Sequence, residues 1–134
     1  MLFLDSNVII AYKNENDVNH NRASKIFNDI NKNKYGTVII SEFIFLEVVT
    51  LLSLRYSLKG AIETGEILLE AEEINMIKAS DIFDWAWDIF KTQTGTKLSF
   101  VDASNLASLK FMGFNQIATF DNEFKKIKDI KIID

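Results

Sequence analysis

Apolar and polar positions along this chain switch repeatedly between two periods. Short blocks, several of them rich in β-branched residues, read as buried strands: Leu2-Phe3-Leu4, Thr37-Val38-Ile39-Ile40, Ile74-Asn75-Met76-Ile77, Ile117-Ala118-Thr119-Phe120 and Ile130-Lys131-Ile132-Ile133. Between them apolar residues recur every three or four positions, the helical spacing. Ala23, Ile26, Phe27 and Ile30 predict a helix over about 18–32, after a short one at about 8–12. Ser41 can cap a helix running to about Leu58, where Gly60 is expected to break it before another at about 61–70. Ile82, Trp85, Ala86, Ile89 and Phe90 mark a further amphipathic helix. After the loop 92–97 come a helix at about 99–112 and a short one near 123–126. Strand–helix alternation predicts an α/β fold, a three-layer α/β/α arrangement with a central, mainly parallel sheet of about five strands. The block Leu2–Leu4 should neighbour 117–120 in that sheet.

A length of 134 residues suits a single domain, 1–134, with its own core. No apolar run approaches the roughly 18 residues of a membrane span, and the N-terminus has no basic signal-like region, so a cytoplasmic location is expected. The absence of cysteine excludes thiolate nucleophiles and Cys-based zinc sites, and a single histidine excludes a paired-His metal motif. Chemistry here must rest mainly on oxygen. A net charge of −4 argues against simple gripping of a polyanion but suits a carboxylate site that recruits divalent cations.

Four acids stand out. Asp5 ends the first strand block and Asp121 follows the 117–120 block, both where ligands collect in parallel sheets. Glu47 falls between Phe43 and Leu51, and helical spacing extends that apolar stripe to Leu54 and Leu58, whereas Glu42 turns nearly the opposite way. A bland alternative for Glu47 is a helix-edge acid that reaches water or pairs with Arg55. Asp102 shares a face with Leu98, Leu106 and Leu109, yet Ser99 and Asp102 also fit a capping box. Asp121 alone would be an ordinary N-cap. Four acids gathered at one end of a parallel sheet repel each other unless cations fill the cluster, and carboxylate oxygens suit Mg²⁺ or Mn²⁺.

These segments match a known family. Leu4-Asp5-Ser6-Asn7, Glu47 in its helix, Leu98-Ser99-Phe100-Val101-Asp102-Ala103 and Thr119-Phe120-Asp121-Asn122-Glu123-Phe124 agree in order and spacing with PIN-domain ribonucleases, in particular the VapC-type toxins of toxin–antitoxin pairs, which the chain resembles over essentially its whole length. The resemblance implies a catalytic quartet of Asp5, Glu47, Asp102 and Asp121, of which Asp5, Asp102 and Asp121 hold one or two Mg²⁺ or Mn²⁺ ions. Ser6, Asn7 and Thr119 would support them. It implies metal-dependent cleavage of single-stranded RNA to 5′-phosphate and 3′-hydroxyl ends, a homodimer, and a small antitoxin wrapped over the helix pair of about 41–70, where Phe43, Phe45, Ile62, Leu68 and Leu69 exceed what one core face needs. His20 stands where such toxins often carry a histidine that is not a metal ligand, and it is read as structural.

Rival readings are a non-catalytic interaction protein on the same fold and a housekeeping RNA-processing nuclease. Phosphoacceptor receiver domains fit poorly, because only Asp5 follows the first strand and Ile77-Lys78 ends the third. Haloacid-type phosphatases need a second Asp where Asp5-Ser6-Asn7 has Asn. One of Trp85 and Trp87, two apart on a helix, is expected in the core. Lys125, Lys126, Lys128 and Lys131 form a loose basic run that reads as solvated surface.

Overall fold

The computed structural model describes residues 1–134. Its strands are β1 (Leu2–Leu4), β2 (Val38–Ser41), β3 (Ile74–Ile77), β4 (Gln116–Ala118) and β5 (Lys131–Ile133). They form one wholly parallel sheet in the order β3-β2-β1-β4-β5. β1 is central and meets β4 in the register Phe3↔Ile117 and Leu4↔Ala118, as the apolar blocks predict. Strand order reverses at β1, with β2 on one side and β4 on the other, so the crevice beyond its carboxyl end is the expected ligand site. Leu2, Phe3 and Leu4 have no solvent exposure, which is why this strand lacks polar alternation.

The helices are α1 (Ser6–Lys13), α2 (His20–Asn31), α3 (Glu42–Arg55), α4 (Leu58–Glu70), α5 (Ala79–Thr92) and α6 (Phe100–Met112); a 3₁₀ turn spans Asn122–Lys126. Short polar side chains set several starts. Ser41 Oγ accepts from Ile44 N–H, and Ser99 with Asp102 forms a reciprocal capping box on α6. Gly113 ends α6 in the left-handed conformation, φ 72°. Gly65 lets α4 approach α3, because a Cβ there would stand 3.2 Å from Val49 Cγ1. His20 Nδ1 lies 2.9 Å from the Ala11 carbonyl and ties the start of α2 to α1, a structural role. No helix is long and apolar enough to cross a membrane.

Three local expectations are corrected. Helix α3 ends at Arg55 rather than near Leu58. The break is made by Tyr56 and Ser57, whose Oγ accepts from Gly60 N–H at 3.0 Å, and Gly60 lies inside the first turn of α4. Neither tryptophan is core: Trp85 is 40% exposed and Trp87 49%, because α5 buries Ile82 and Ala86 and the tryptophans flank that line. Trp85 meets Phe111 edge-on, and Lys110 lies over its ring. The buried line of α3 is Ile44, Val48 and Leu52, one position on from Phe43, Glu47 and Leu51; Leu54 and Leu58 are exposed. Glu47 therefore sits at the edge of the core face, half-buried, rather than in the middle of an apolar stripe.

Candidate active site

The site grows from the junction of β1 and α1. Asp5 is the N-cap of α1 and is only 3% exposed. Four donors converge on its carboxylate. Ser6 N–H at 2.8 Å and Asn105 Nδ2 at 3.1 Å reach Oδ1. Asn7 Nδ2 and the Thr119 hydroxyl, both at 2.7 Å, reach Oδ2. Two donors on each oxygen fix the orientation of the carboxylate. Thr119 Oγ1 also accepts from Asn7 Nδ2 and from Asp121 N–H, each at 3.1 Å. Asn7 Oδ1 accepts from Phe120 N–H, so Asn7 joins the first turn of α1 to the loop after β4.

Glu47 approaches from α3 and accepts the Ser6 hydroxyl hydrogen bond at 2.5 Å on Oε2; its other oxygen has no protein partner. Asp102 enters from the first turn of α6. Its Oδ2 accepts from Ser99 N–H at 2.7 Å, so it is both a capping residue and a member of the site. Asp5, Ser6, Asn7, Glu47 and Asp102 line one cleft of about 280 Å³, together with Asp17, Asn19, Arg55 and Phe120. Asp121 does not line that cleft. It caps the 3₁₀ turn through Oδ1 to Glu123 N–H at 2.8 Å, and its charge acts on Asp102.

Burial dominates the electrostatics. Desolvation pushes the Asp5 carboxyl up to about 7 against the pull of its hydrogen bonds, and the charges of Asp102 and Glu47 push the same way. Asp102 is raised too, first by burial and then by Asp121 and Glu123, while its hydrogen bonds to Ser99 oppose the shift. Glu123 is lowered by its bond to Lys126 and by Lys97 N–H. The acids form an electrically coupled chain whose self-repulsion a cation would relieve.

The donor set fits a hard divalent cation: it is all oxygen, negatively charged, and set in a water-accessible cleft. No three of the acids already close into a finished ligand cage. Side-chain rotation would have to complete the coordination.

The PIN domain model matches residues 2–130. The chain belongs to the PIN domain family. Ribonuclease VapC6 of Methanocaldococcus jannaschii is 28% identical over 147 residues, covering 98% of this chain and 95% of its own. The 23S rRNA-specific endonuclease VapC20 of Mycobacterium tuberculosis is 26% identical over 124 residues, covering 92% of each. The crystal structure of M. tuberculosis VapC20, a sarcin-ricin loop cleaving toxin, superposes with a TM-score of 0.87 at 23% identity over 100% of both chains. A toxin–antitoxin complex from Klebsiella pneumoniae matches at TM-score 0.66 and 16% identity, over 97% of this chain and 95% of that one. The last two likenesses speak for the PIN fold.

Sequence reasoning passed over two residues of this PIN-domain site. Asn105 is wholly buried and donates to Asp5, while its Oδ1 has no partner. The available signal was an amide one turn after Asp102, among the small residues Ala103, Ser104, Ala107 and Ser108. Helical spacing offers Arg55 only as a partner for Glu47; in the structure it lines the cleft and forms no ion pair.

Proposed function

We propose that this PIN domain is an endoribonuclease that cleaves single-stranded RNA with Mg²⁺ or Mn²⁺, and that it is the toxin of a toxin–antitoxin pair. The observation that carries the reading is the gathering of Asp5, Glu47 and Asp102 in one cleft, from the β1–α1 junction, α3 and α6, with the charge of Asp121 acting on Asp102 from the loop after β4. Family membership and the names of its relatives support it. Asp5, Asp102 and Asp121 would hold the metal, with Glu47 beside them. When bound there, a divalent cation supplies Lewis acidity, lowering the pKa of water and offsetting charge on a phosphate.

The residues of the chain do the rest. Ser6 N–H, Asn7, Asn105 and Thr119 fix the direction of Asp5. Ser6 orients Glu47 through one oxygen and leaves the other free to take a proton or hold water at the cleft. Thr119 and Asn7 tie the backbone at Phe120 and Asp121 to the same network, which holds the loop carrying Asp121 to Asp5.

For partners, the reading includes a homodimer in the cytoplasm and an antitoxin that docks on α3 and α4. An apolar groove between these helices is lined by Phe45, Val49, Leu58, Ala61, Ile62 and Leu69, and Leu46 and Leu54 remain exposed beside it. That surface suits an amphipathic segment. The direct test incubates purified protein with a single-stranded RNA in Mg²⁺ and in EDTA. Cleavage in Mg²⁺ that stops in EDTA is expected; cleavage that survives complete chelation would rule the mechanism out.

A further inference from the structure

The cleft presents an electrostatic problem that its metal ligands do not solve. Asp5, Glu47 and Asp102 line it, and Asp17 adds a fourth carboxylate beyond the proposed ligands. A cation at the quartet offsets charge at one phosphate. The phosphates on either side of the scissile bond would still meet a negative wall.

Among the cleft-lining residues only Arg55 is cationic. It lies two helical turns beyond Glu47 on α3, about 12 Å along the axis, with Leu51 between them. Its side chain is exposed, and no carboxylate stands within ion-pairing distance. Several other cations are committed elsewhere: Arg22 and Lys125 to Asp134, Lys34 to Asp29, Lys126 to Glu123. The segment that carries Arg55 is also fixed. Tyr56, next in the chain, accepts a hydrogen bond on its hydroxyl from Asn14 Nδ2 at 3.1 Å, which ties the end of α3 to the end of α1.

We infer that Arg55 is a substrate-binding residue of the cleft, holding a backbone phosphate of the RNA strand that flanks the scissile bond. The inference rests on the nuclease reading above. A guanidinium is suited to the task by its planar fork of donors, which takes two phosphate oxygens at once. A competing role is purely structural, since a cation in the last turn of a helix also favours its dipole. The two roles separate by salt dependence, because each phosphate neutralised on a single strand contributes about 0.7 to the slope of log K against log salt.

The experiment measures binding of a fluorescein-labelled single-stranded oligoribonucleotide by anisotropy across a KCl series at fixed Mg²⁺, in a Glu47→Gln background that cleaves slowly. Arg55→Gln should weaken binding about tenfold at low salt and flatten the slope by about 0.7. Arg55→Lys should keep the slope and lose part of the affinity. Lys128→Gln, outside the cleft, should match the background. With Glu47 intact, Arg55→Gln should raise KM and leave kcat within about threefold, the mark of lost substrate binding. An unchanged slope and KM in Arg55→Gln, with the parent cutting RNA normally, overturns the inference and leaves the nuclease reading standing. A parent chain that cuts no RNA overturns both.

Discussion

Asp5 should give the metal-free protein a characteristic loss of stability with rising pH. Its carboxyl is held at about 7 in the folded state by burial, with Asp102 and Glu47 adding to the effect, against an ordinary value of 3.8. A carboxyl raised on folding stabilises the native state fully below its unfolded value. That contribution is lost as pH climbs toward and through the folded value. Over the whole range the loss is about 4 kcal/mol, and about 2.5 kcal/mol of it falls between pH 5 and pH 8. Asp102, raised in the same direction, adds to the trend. The clean quantity is therefore the difference between the parent and Asp5→Asn. The variant loses well-made hydrogen bonds and will be less stable at pH 5, where the parent carboxyl is mostly protonated. Its stability should fall less by pH 8, by about 2.5 kcal/mol. Urea denaturation in EDTA at pH 5, 6, 7 and 8 measures both curves. Saturating Mg²⁺ should flatten the parent's curve, because a ligand of the ionised native site stabilises it. Parallel curves for parent and variant in EDTA would refute the reasoning, since Asp5 would then ionise at its ordinary value.

Other outcomes follow from the same geometry. Glu47→Gln should cut RNA at least about 10²-fold more slowly, from the usual size of electrostatic and acid–base effects; in EDTA its Tm should equal or exceed the parent's. Glu42 is exposed, yet its Oε2 accepts from Ala79 N–H at the start of α5 at 2.8 Å, so Glu42→Ala should lower stability by about 1 kcal/mol without touching cleavage. Asn105→Ala removes a donor to Asp5 and its own orphaned oxygen together, so chemical denaturation should show a modest cost of about 1–2 kcal/mol, with a larger relative loss in cleavage rate. Sedimentation at micromolar concentration should show a dimer; a monomer alone would remove that part of the proposal.

Much of the scaffold was legible in the chain because its strands are wholly buried. Val38, Ile39 and Ile40 have at most 2% exposure, and an unbroken β-branched run is what such a strand requires. Asp5 could be placed in the sheet's crevice for the same reason, whereas Asp121, which also follows a short apolar block, caps the 3₁₀ turn outside the cleft. The errors came where one residue's offset matters. The 3.6-residue period leaves a helix face ambiguous by one position when both lines are apolar, and α3 is apolar nearly all round, so its buried line was assigned to Phe43 and Leu51 instead of Ile44, Val48 and Leu52. In α5 the two aromatic positions Trp85 and Trp87 flank the line of Ile82 and Ala86, and that line takes the core. The support of Asp5 by Asn105 spans a hundred residues of sequence and exists only through the packing of α6 on the sheet. Arg55 became visible as a cleft residue only when the end of α3 and the loop carrying Asp17 and Asn19 came together.

In the proposed reaction this carboxylate cluster cuts RNA by metal-dependent hydrolysis, with water rather than the RNA's own 2′-hydroxyl as the nucleophile. Mass spectrometry of the fragments released from a defined single-stranded RNA in Mg²⁺ reads the difference directly. Hydrolysis at this site predicts fragments with 5′-phosphate and 3′-hydroxyl ends, and none when Asp5 is replaced by Asn. Fragments ending in 2′,3′-cyclic phosphate and 5′-hydroxyl would contradict it, because attack by the 2′-hydroxyl needs neither the metal nor the quartet.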